Sequence, residues 1–240
     1  MTKTAIEISN LTKSIDGKVI LNNINLNIIT NKITALIGLN GVGKTTLIKS
    51  ILGLLNLENG YIKVFDKSLP DEASRNKVAF LPEKFSPSSF LKGKEFLKIA
   101  LSFYKKEDNI KLADKYLGLL NLPEDILNSA VNKYSKGMSQ KLGLLFIILS
   151  ECPIWILDEP MSGLDALSRQ EVINIMIEHR AKGGTIFFTS HLIQGLEKIC
   201  DQIAVMDKGK IIFSSSPSEL NSLYNTQNLE TDFLKLLGYA

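Results

Sequence analysis

Nine consecutive residues, Gly38-Leu39-Asn40-Gly41-Val42-Gly43-Lys44-Thr45-Thr46, constrain this chain more than any other stretch. Gly38 to Thr45 matches G-x-x-x-x-G-K-[ST], a phosphate-binding pattern. The apolar run Ile33 to Ile37 leads into it, and Leu47, Ile48, Ile51 and Leu52 follow at helical spacing. Strand, glycine turn and helix in that order let backbone N–H groups converge on an anion. Gly38, Gly41 and Gly43 carry no Cβ to block the approach, and the helix adds its free N–H groups and positive dipole end. Asn40 and Thr46 belong to the same cradle. Lys44 is placed to reach β- and γ-phosphates, and the Thr45 hydroxyl to ligate Mg²⁺.

Such a loop needs a well-packed core behind it. Hydrophobic residues make up 45% and charged residues 22% of 240 positions, which supplies one. The length allows one or two domains. The net charge of +3 comes from scattered lysines, and Arg75, Arg169 and Arg180 are the only arginines. Arginine is the usual bidentate reader of guanine and phosphate, so its scarcity argues against nucleic acid as a partner. Cys152 and Cys200 form neither a CxxC pair nor a disulfide framework, which fits a reducing, cytoplasmic compartment. Met1 to Glu7 lacks the apolar core of a leader. The longest apolar run, Leu142 to Leu149, is too short for a membrane span and reads as a buried helix.

Ile6 and Ile8 alternate with polar residues, Asp16-Gly17 reads as a hairpin turn, and Ile24, Leu26 and Ile28 alternate again. Glu58-Asn59-Gly60 reads as a turn before the strand Tyr61 to Phe65. Val78 to Leu81 is a short strand stopped by Pro82. Phe90, Lys94, Leu97, Leu101 and Tyr104 fall at helix spacing, as do Ile110, Ala113, Leu117 and Leu120. Ile154 to Leu157 and Thr185 to Thr189 read as central parallel strands, with a helix from Ala166 to Lys182 between them. Ile203 to Phe213 reads as a final hairpin, and a short helical tail follows Pro217. The expected fold is therefore α/β: a P-loop NTPase core of mostly parallel sheet with flanking helices, an antiparallel β subdomain, and an inserted α-helical subdomain. The boundaries are 1–86 and 151–216 for the core with its β subdomain, 87–150 for the insert and 217–240 for the tail, all within one domain, 1–240.

Asp158 and Glu159 end the buried strand. Adjacent acids there are costly unless they emerge at the strand's carboxyl end, where open α/β sheets place ligands. Asp158 is then a metal ligand and Glu159 a general base for the attacking water. His191, just past the second buried strand, is placed to sense a γ-phosphate. Ser135 and Gly137 open an apolar helix and make either a plain helix cap or a second anion site. His179, among Glu178, Arg180 and Lys182, is expected on a solvated helix end.

The order of these motifs, with Ser162-Gly163-Leu164-Asp165 between them, resembles the nucleotide-binding subunit of an ATP-binding cassette transporter. The resemblance runs from Ile6 to about Phe213. It implies that Gly38 to Thr46 is the Walker A loop, Ile154 to Asp158 the Walker B strand, Glu159 the catalytic carboxylate, Ser162 to Asp165 the D-loop and His191 the switch histidine. It also implies ATP and Mg²⁺ as cofactors and a head-to-tail homodimer or heterodimer. In that dimer Ser135 and Gly137 of one subunit would contact the γ-phosphate held by the other, and Asp165 of the D-loop is a further nucleotide-binding residue. Three departures stand out. The signature reads Tyr134-Ser135-Lys136-Gly137-Met138 rather than Leu-Ser-Gly-Gly-Gln. Glu83 replaces the usual glutamine near the metal. Ile15 stands where an aromatic residue usually stacks on adenine. The signature, the Leu81-Pro82-Glu83 loop and the tail Leu229 to Leu234 are similar to a subgroup that pairs with separate six-helix, exporter-type permeases at the inner face of the membrane. Two further readings stay open: a soluble cassette ATPase for cofactor assembly or repair, and a nucleotide-binding regulatory module that does not hydrolyse.

Overall fold

The computed structural model describes residues 3–68, 71–226 and 228–239. Met1 and Thr2, which begin the stretch inspected for a leader, lie outside the described residues. β1 (Thr4–Ile15) and β2 (Lys18–Ile29) form the expected hairpin, with Asp16 and Gly17 at φ 50° and 76° supplying the left-handed turn. β4 (Asn59–Val64) pairs with β1, and β5 (Lys67–Ser68) with β4, giving a four-stranded antiparallel sheet in the order β2-β1-β4-β5. The second sheet is built from β3 (Ile33–Ile37), β6 (Val78–Leu81), β7 (Ile154–Leu157), β8 (Thr185–Ser190), β9 (Gln202–Asp207) and β10 (Lys210–Ser215). Its order is β10-β9-β3-β8-β7-β6, parallel throughout except for the β9–β10 hairpin.

Every residue of β3, β7 and β8 is buried, because both faces of this sheet are covered. The period of two sends Trp155, Leu157, Ile186 and Phe188 to one core and Ile154, Ile156 and Phe187 to the other. The second core also holds the inner face of the antiparallel sheet and Leu47, Ile48 and Ile51 of α1 (Lys44–Ile51). The first holds the helical region: α3 (Gly93–Ser102), α4 (Ala113–Leu117) and α5 (Lys136–Leu149). α2 (Glu72–Arg75) is a single turn. α6 (Ala166–Ala181) links β7 to β8, and α7 (Pro217–Tyr224) and α8 (Leu229–Leu236) form the tail.

Four expectations need correction. Asn59 and Gly60 are strand, not turn; Gly60 holds φ 83° and a Cβ on it would sit 2.3 Å from the Ser9 carbonyl oxygen, so the glycine serves both a left-handed backbone and close strand approach. Phe90 is outside α3 and 93% exposed, because the helix begins only after Lys92 N donates to Glu95 Oε2 at 2.8 Å. The segment from Ile110 is not one helix but a 3-10 turn, Glu107–Leu112, followed by α4; Asn109 Nδ2 donates to the Leu149 carbonyl and pins the turn to the end of α5. His179 is not solvated. Its ring stacks on Trp155 with centroids 3.6 Å apart, and a Cβ on Gly184 would collide with it.

Burial pushes the His179 pKa down to about 4, against a hydrogen bond to the Pro153 carbonyl that favours the charged form. A base depressed on folding stays neutral in the native state while the unfolded chain takes up a proton below about 6.5. Stability is therefore full above that pH and falls as the pH drops towards about 4. Part of the ring is exposed, so the loss expected by pH 5 is about 1–2 kcal/mol. Glu151, Glu178, Lys182, Cys152 and Tyr116 surround the same site. Urea unfolding at pH 7 and pH 5 should show this loss in the wild type and its absence in His179→Phe, which keeps a flat ring on Trp155.

Candidate active site

The strand register assembles the site. Ile37 lies beside Ser190, Phe188 beside Leu157, and Leu157 beside Leu81. The residues that follow these strands, Gly38, His191, Asp158 with Glu159, and Glu83, therefore emerge along one edge of the sheet. A cleft of about 950 Å³ opens there. Its walls include Ile15, Asn40, Gly41, Gly43, Lys44, Thr45, Thr46, Glu83, Asp158, Glu159 and His191, so most residues singled out in the sequence meet in one place.

The loop turns on glycines. Gly41 and Gly43 hold φ 81° and 114°, and a Cβ on Gly38 would stand 2.4 Å from the Met206 carbonyl oxygen. Lys44 folds back into the loop and donates from Nζ to the carbonyls of Gly38 at 2.7 Å and Leu39 at 3.2 Å. Burial pulls its pKa below the usual lysine range, while the carboxylates of Glu159, then Asp158 and Glu83, pull it back. Glu159 Oε1 lies 3.8 Å from the ammonium.

Asp158 is 3% exposed and accepts two hydroxyl hydrogen bonds, from Thr45 Oγ1 at 3.0 Å and Thr189 Oγ1 at 2.6 Å. Thr189 Oγ1 also accepts from Glu159 N at 2.9 Å. Glu159 Oε2 is 2.7 Å from His191 Nδ1 and accepts from His191 N at 3.3 Å. The Glu159 backbone sits at φ 49°, a left-handed conformation uncommon for a residue with a long side chain. The two acids thus divide the work by environment: Asp158 is held between hydroxyls, whereas Glu159 is aimed between a lysine and a histidine.

Three predicted residues lie apart. Ser135 is exposed and caps α5 by accepting from Met138 N at 3.1 Å; Gly137 follows it. Asp165 caps α6 by accepting from Ser168 N at 2.8 Å. None of the three lines the cleft of its own chain. Ser162, the first residue of the expected D-loop, is on the wall; the sequence reading missed Asp16, Lys18, Ile20 and Lys84 there, and the double role of Thr189. A hydroxyl closing the apolar run Ile186 to Phe188 was the available signal for Thr189.

The model of the ABC transporter family matches residues 21–162, more than half of the chain. The lantibiotic transport ATP-binding protein SrtF of Streptococcus pyogenes is 31% identical over 229 residues, covering 93% of this chain and 97% of that protein. Uncharacterized ABC transporter ATP-binding proteins of Nostoc sp. and Synechocystis sp. are both 35% identical, and the chain spans only 59% and 53% of their respective lengths. A solved ATP binding subunit of an ABC transporter superposes with a TM-score of 0.91 at 28% identity, covering 98% of this chain and all of that one. A dimeric bacterial ABC transporter cassette, MJ0796, shares the fold at a TM-score of 0.79 and 22% identity. With its glycine loop, acid pair and histidine meeting in one cleft, with the family model matching more than half of it, and with SrtF and the solved subunit matched over 93% and 98% of its length, the chain belongs to the ABC transporter family.

Proposed function

We propose that this chain is a Mg²⁺-dependent ATPase subunit that works as a head-to-tail dimer beneath a separate transmembrane permease. One observation carries the reading: the Lys44–Thr45 loop and the Asp158–Glu159 pair share a cleft, with Thr45 Oγ1 hydrogen-bonded to Asp158 Oδ2. Those two oxygens are hard donors at an open wall, which fits Mg²⁺, and Glu83 adds a carboxylate nearby. Bound there, Mg²⁺ would offset phosphate charge during phosphoryl transfer.

The chain's own groups supply the rest. Lys44 exchanges the Gly38 and Leu39 carbonyls for phosphate oxygens, so its ammonium needs no long search. Glu159 takes a proton from the attacking water at a carboxylate oxygen, and His191 Nδ1 orients that carboxylate. A His191 ring that keeps Nδ1–H on Glu159 can donate from Nε2 to the γ-phosphate only when doubly protonated; otherwise it must release Glu159. Ser135, Gly137 and Asp165 complete a site only from a second copy, since they lie outside their own cleft; this supports the head-to-tail arrangement.

A groove of about 220 Å³, where Tyr104 of the helical region faces Leu54 and Phe80 of the core, offers an apolar seat for a permease segment. No helix of the described residues is long and apolar enough to cross a membrane, so in this reading the permease spans it and the ATPase docks at its cytoplasmic face. The near full-length match to a lantibiotic transport protein supports a role in transport, and the exporter-type permease rests on the Tyr134 to Met138 signature, the Leu81-Pro82-Glu83 loop and the tail.

Phosphate release separates hydrolysis from mere binding. Glu159→Gln should lose turnover by a factor on the order of 10²–10⁴ and accumulate as an ATP-bound dimer on size exclusion. Equal rates in both proteins would remove Glu159 from the mechanism. The base end of the cleft carries aliphatic Ile15 and Ile20 and lacks a stacking ring. Ile15→Tyr should therefore tighten ATP binding by about 1–3 kcal/mol in a fluorescent-nucleotide titration, and sharpen its preference over GTP. Affinity purification from membranes should recover a polytopic partner with this chain; its absence would leave the ATPase reading standing and end the transport one.

A further inference from the structure

Lysines occur throughout the chain, yet the net charge of +3 is unevenly placed. Residues 84–106 hold six lysines and one glutamate, a balance of +5, so the other residues together carry −2. This segment runs from the Glu83 loop through α3 to the turn beyond it. It also carries the two most exposed large apolar side chains among the described residues, Phe90 at 93% and Phe103 at 75%. Ile99, at 50%, lies one helical turn before Phe103.

The other side of α3 is committed to the core. Leu97 and Leu101 are fully buried, and Phe96 packs edge-on against Phe85 and Phe146. Ile99 and Phe103 must therefore face out. Neither the active-site cleft nor the groove at Leu54 has Phe90, Ile99 or Phe103 in its walls. These side chains protrude, whereas recognition of a partner helix calls for a groove. The charges divide in the same way. Lys84 is on the cleft wall, Lys94 shares a cavity wall with Asp114, and Lys106 pairs with Glu151. Lys92, Lys98 and Lys105 meet no carboxylate within 4 Å among the described residues. Glu95 is occupied at the helix start, accepting from Lys92 N at 2.8 Å. Glu107 and Asp108 follow in the next turn, and Asp108 is matched by Lys111.

Protruding rings beside unmatched lysines complement an anionic lipid surface. The rings enter the headgroup boundary, and the ammonium groups remain among the phosphates. The segment contains no arginine, which disfavours nucleic acid as the occupant. We propose that the outer face of α3 and its flanks, Phe90, Lys92, Lys98, Ile99, Phe103 and Lys105, binds the surface of an anionic phospholipid bilayer directly. In the transport reading this seats the helical region on the membrane beside the permease. The contact needs neither nucleotide nor hydrolysis, so its failure leaves the ATPase reading untouched.

The full chain, free of nucleotide and permease, is sedimented with sucrose-loaded vesicles. One set contains phosphatidylglycerol and phosphatidylcholine in equal parts, the other phosphatidylcholine alone. The mixed vesicles should retain the chain with an apparent Kd below about 1 mM accessible lipid, and the neutral ones at least about tenfold more weakly. Phe90→Ser with Phe103→Ser changes only exposed positions, so the fold is kept. That variant should bind the mixed vesicles at least about tenfold more weakly. Lys98→Gln with Lys105→Gln should lose about as much. Lys208→Gln with Lys210→Gln removes equal charge from exposed positions at the β9–β10 turn and should change binding less than about twofold. Absence of binding at about 10 mM mixed lipid, or equal binding to neutral vesicles, would overturn the proposal. So would unchanged binding by the double serine variant, or an equal loss from the Lys208 and Lys210 pair, which would mean bulk charge alone. Retention only by vesicles that contain the co-purified permease would assign this face to the permease and overturn it too.

Discussion

Asp158 is a carboxylate inside the protein, and its two hydroxyl partners make that position tolerable. A buried charge without hydrogen bonds is among the most unfavourable groups a fold can contain. Here Thr45, from the first turn of α1, and Thr189, from the end of β8, each donate to it. The clasp binds the glycine loop, β7 and β8 at one point. Loss of either hydroxyl leaves a carboxylate oxygen shielded and unpaired, which costs about 1–3 kcal/mol or more for a charged group. Thr189 then passes the constraint on, since the same oxygen accepts the backbone N–H of Glu159.

Around that clasp the parallel sheet works as a ruler. Because β3, β8, β7 and β6 run in one direction and in register, four chain segments far apart in sequence end beside one another. The loop lysine is held by its own carbonyls, the acid next to Asp158 is aimed by a histidine, and the wall contributed by the β1–β2 hairpin mixes Ile15 and Ile20 with Asp16 and Lys18. By contrast, the beginning of α5 stands away from the cleft with its serine facing solvent.

Local features were legible, and features that depend on distant packing were not. The loop at Gly38 to Thr46 and the acids after Leu157 could be read because strand, turn and polar stop adjoin in sequence. The Asp16-Gly17 hairpin was equally plain. Gly60 misled because its left-handed φ of 83° is turn-like, yet it lies within β4 against the Ser9 carbonyl, where the β1–β4 register shifts. The region around Ile110 has helical spacing, yet a side-chain bond from Asn109 to the end of α5 tightens it into a 3-10 turn. His179 looked solvated because its sequence neighbours are charged; its ring is taken inward by Trp155 and by the space over Gly184. Thr189 shows its importance only once Asp158 and Glu159 are seen on either side of it.

The left-handed backbone of Glu159 has an evolutionary consequence. Glycine or asparagine would rest more easily at that φ, and strain of this type is typically on the order of 1–3 kcal/mol. Stability alone therefore pushes the position away from glutamate, and a glutamate kept there is a cost that the fold carries. Under the general-base role proposed for Glu159, the identity of this position in a relative becomes a gauge of whether that relative still turns over nucleotide.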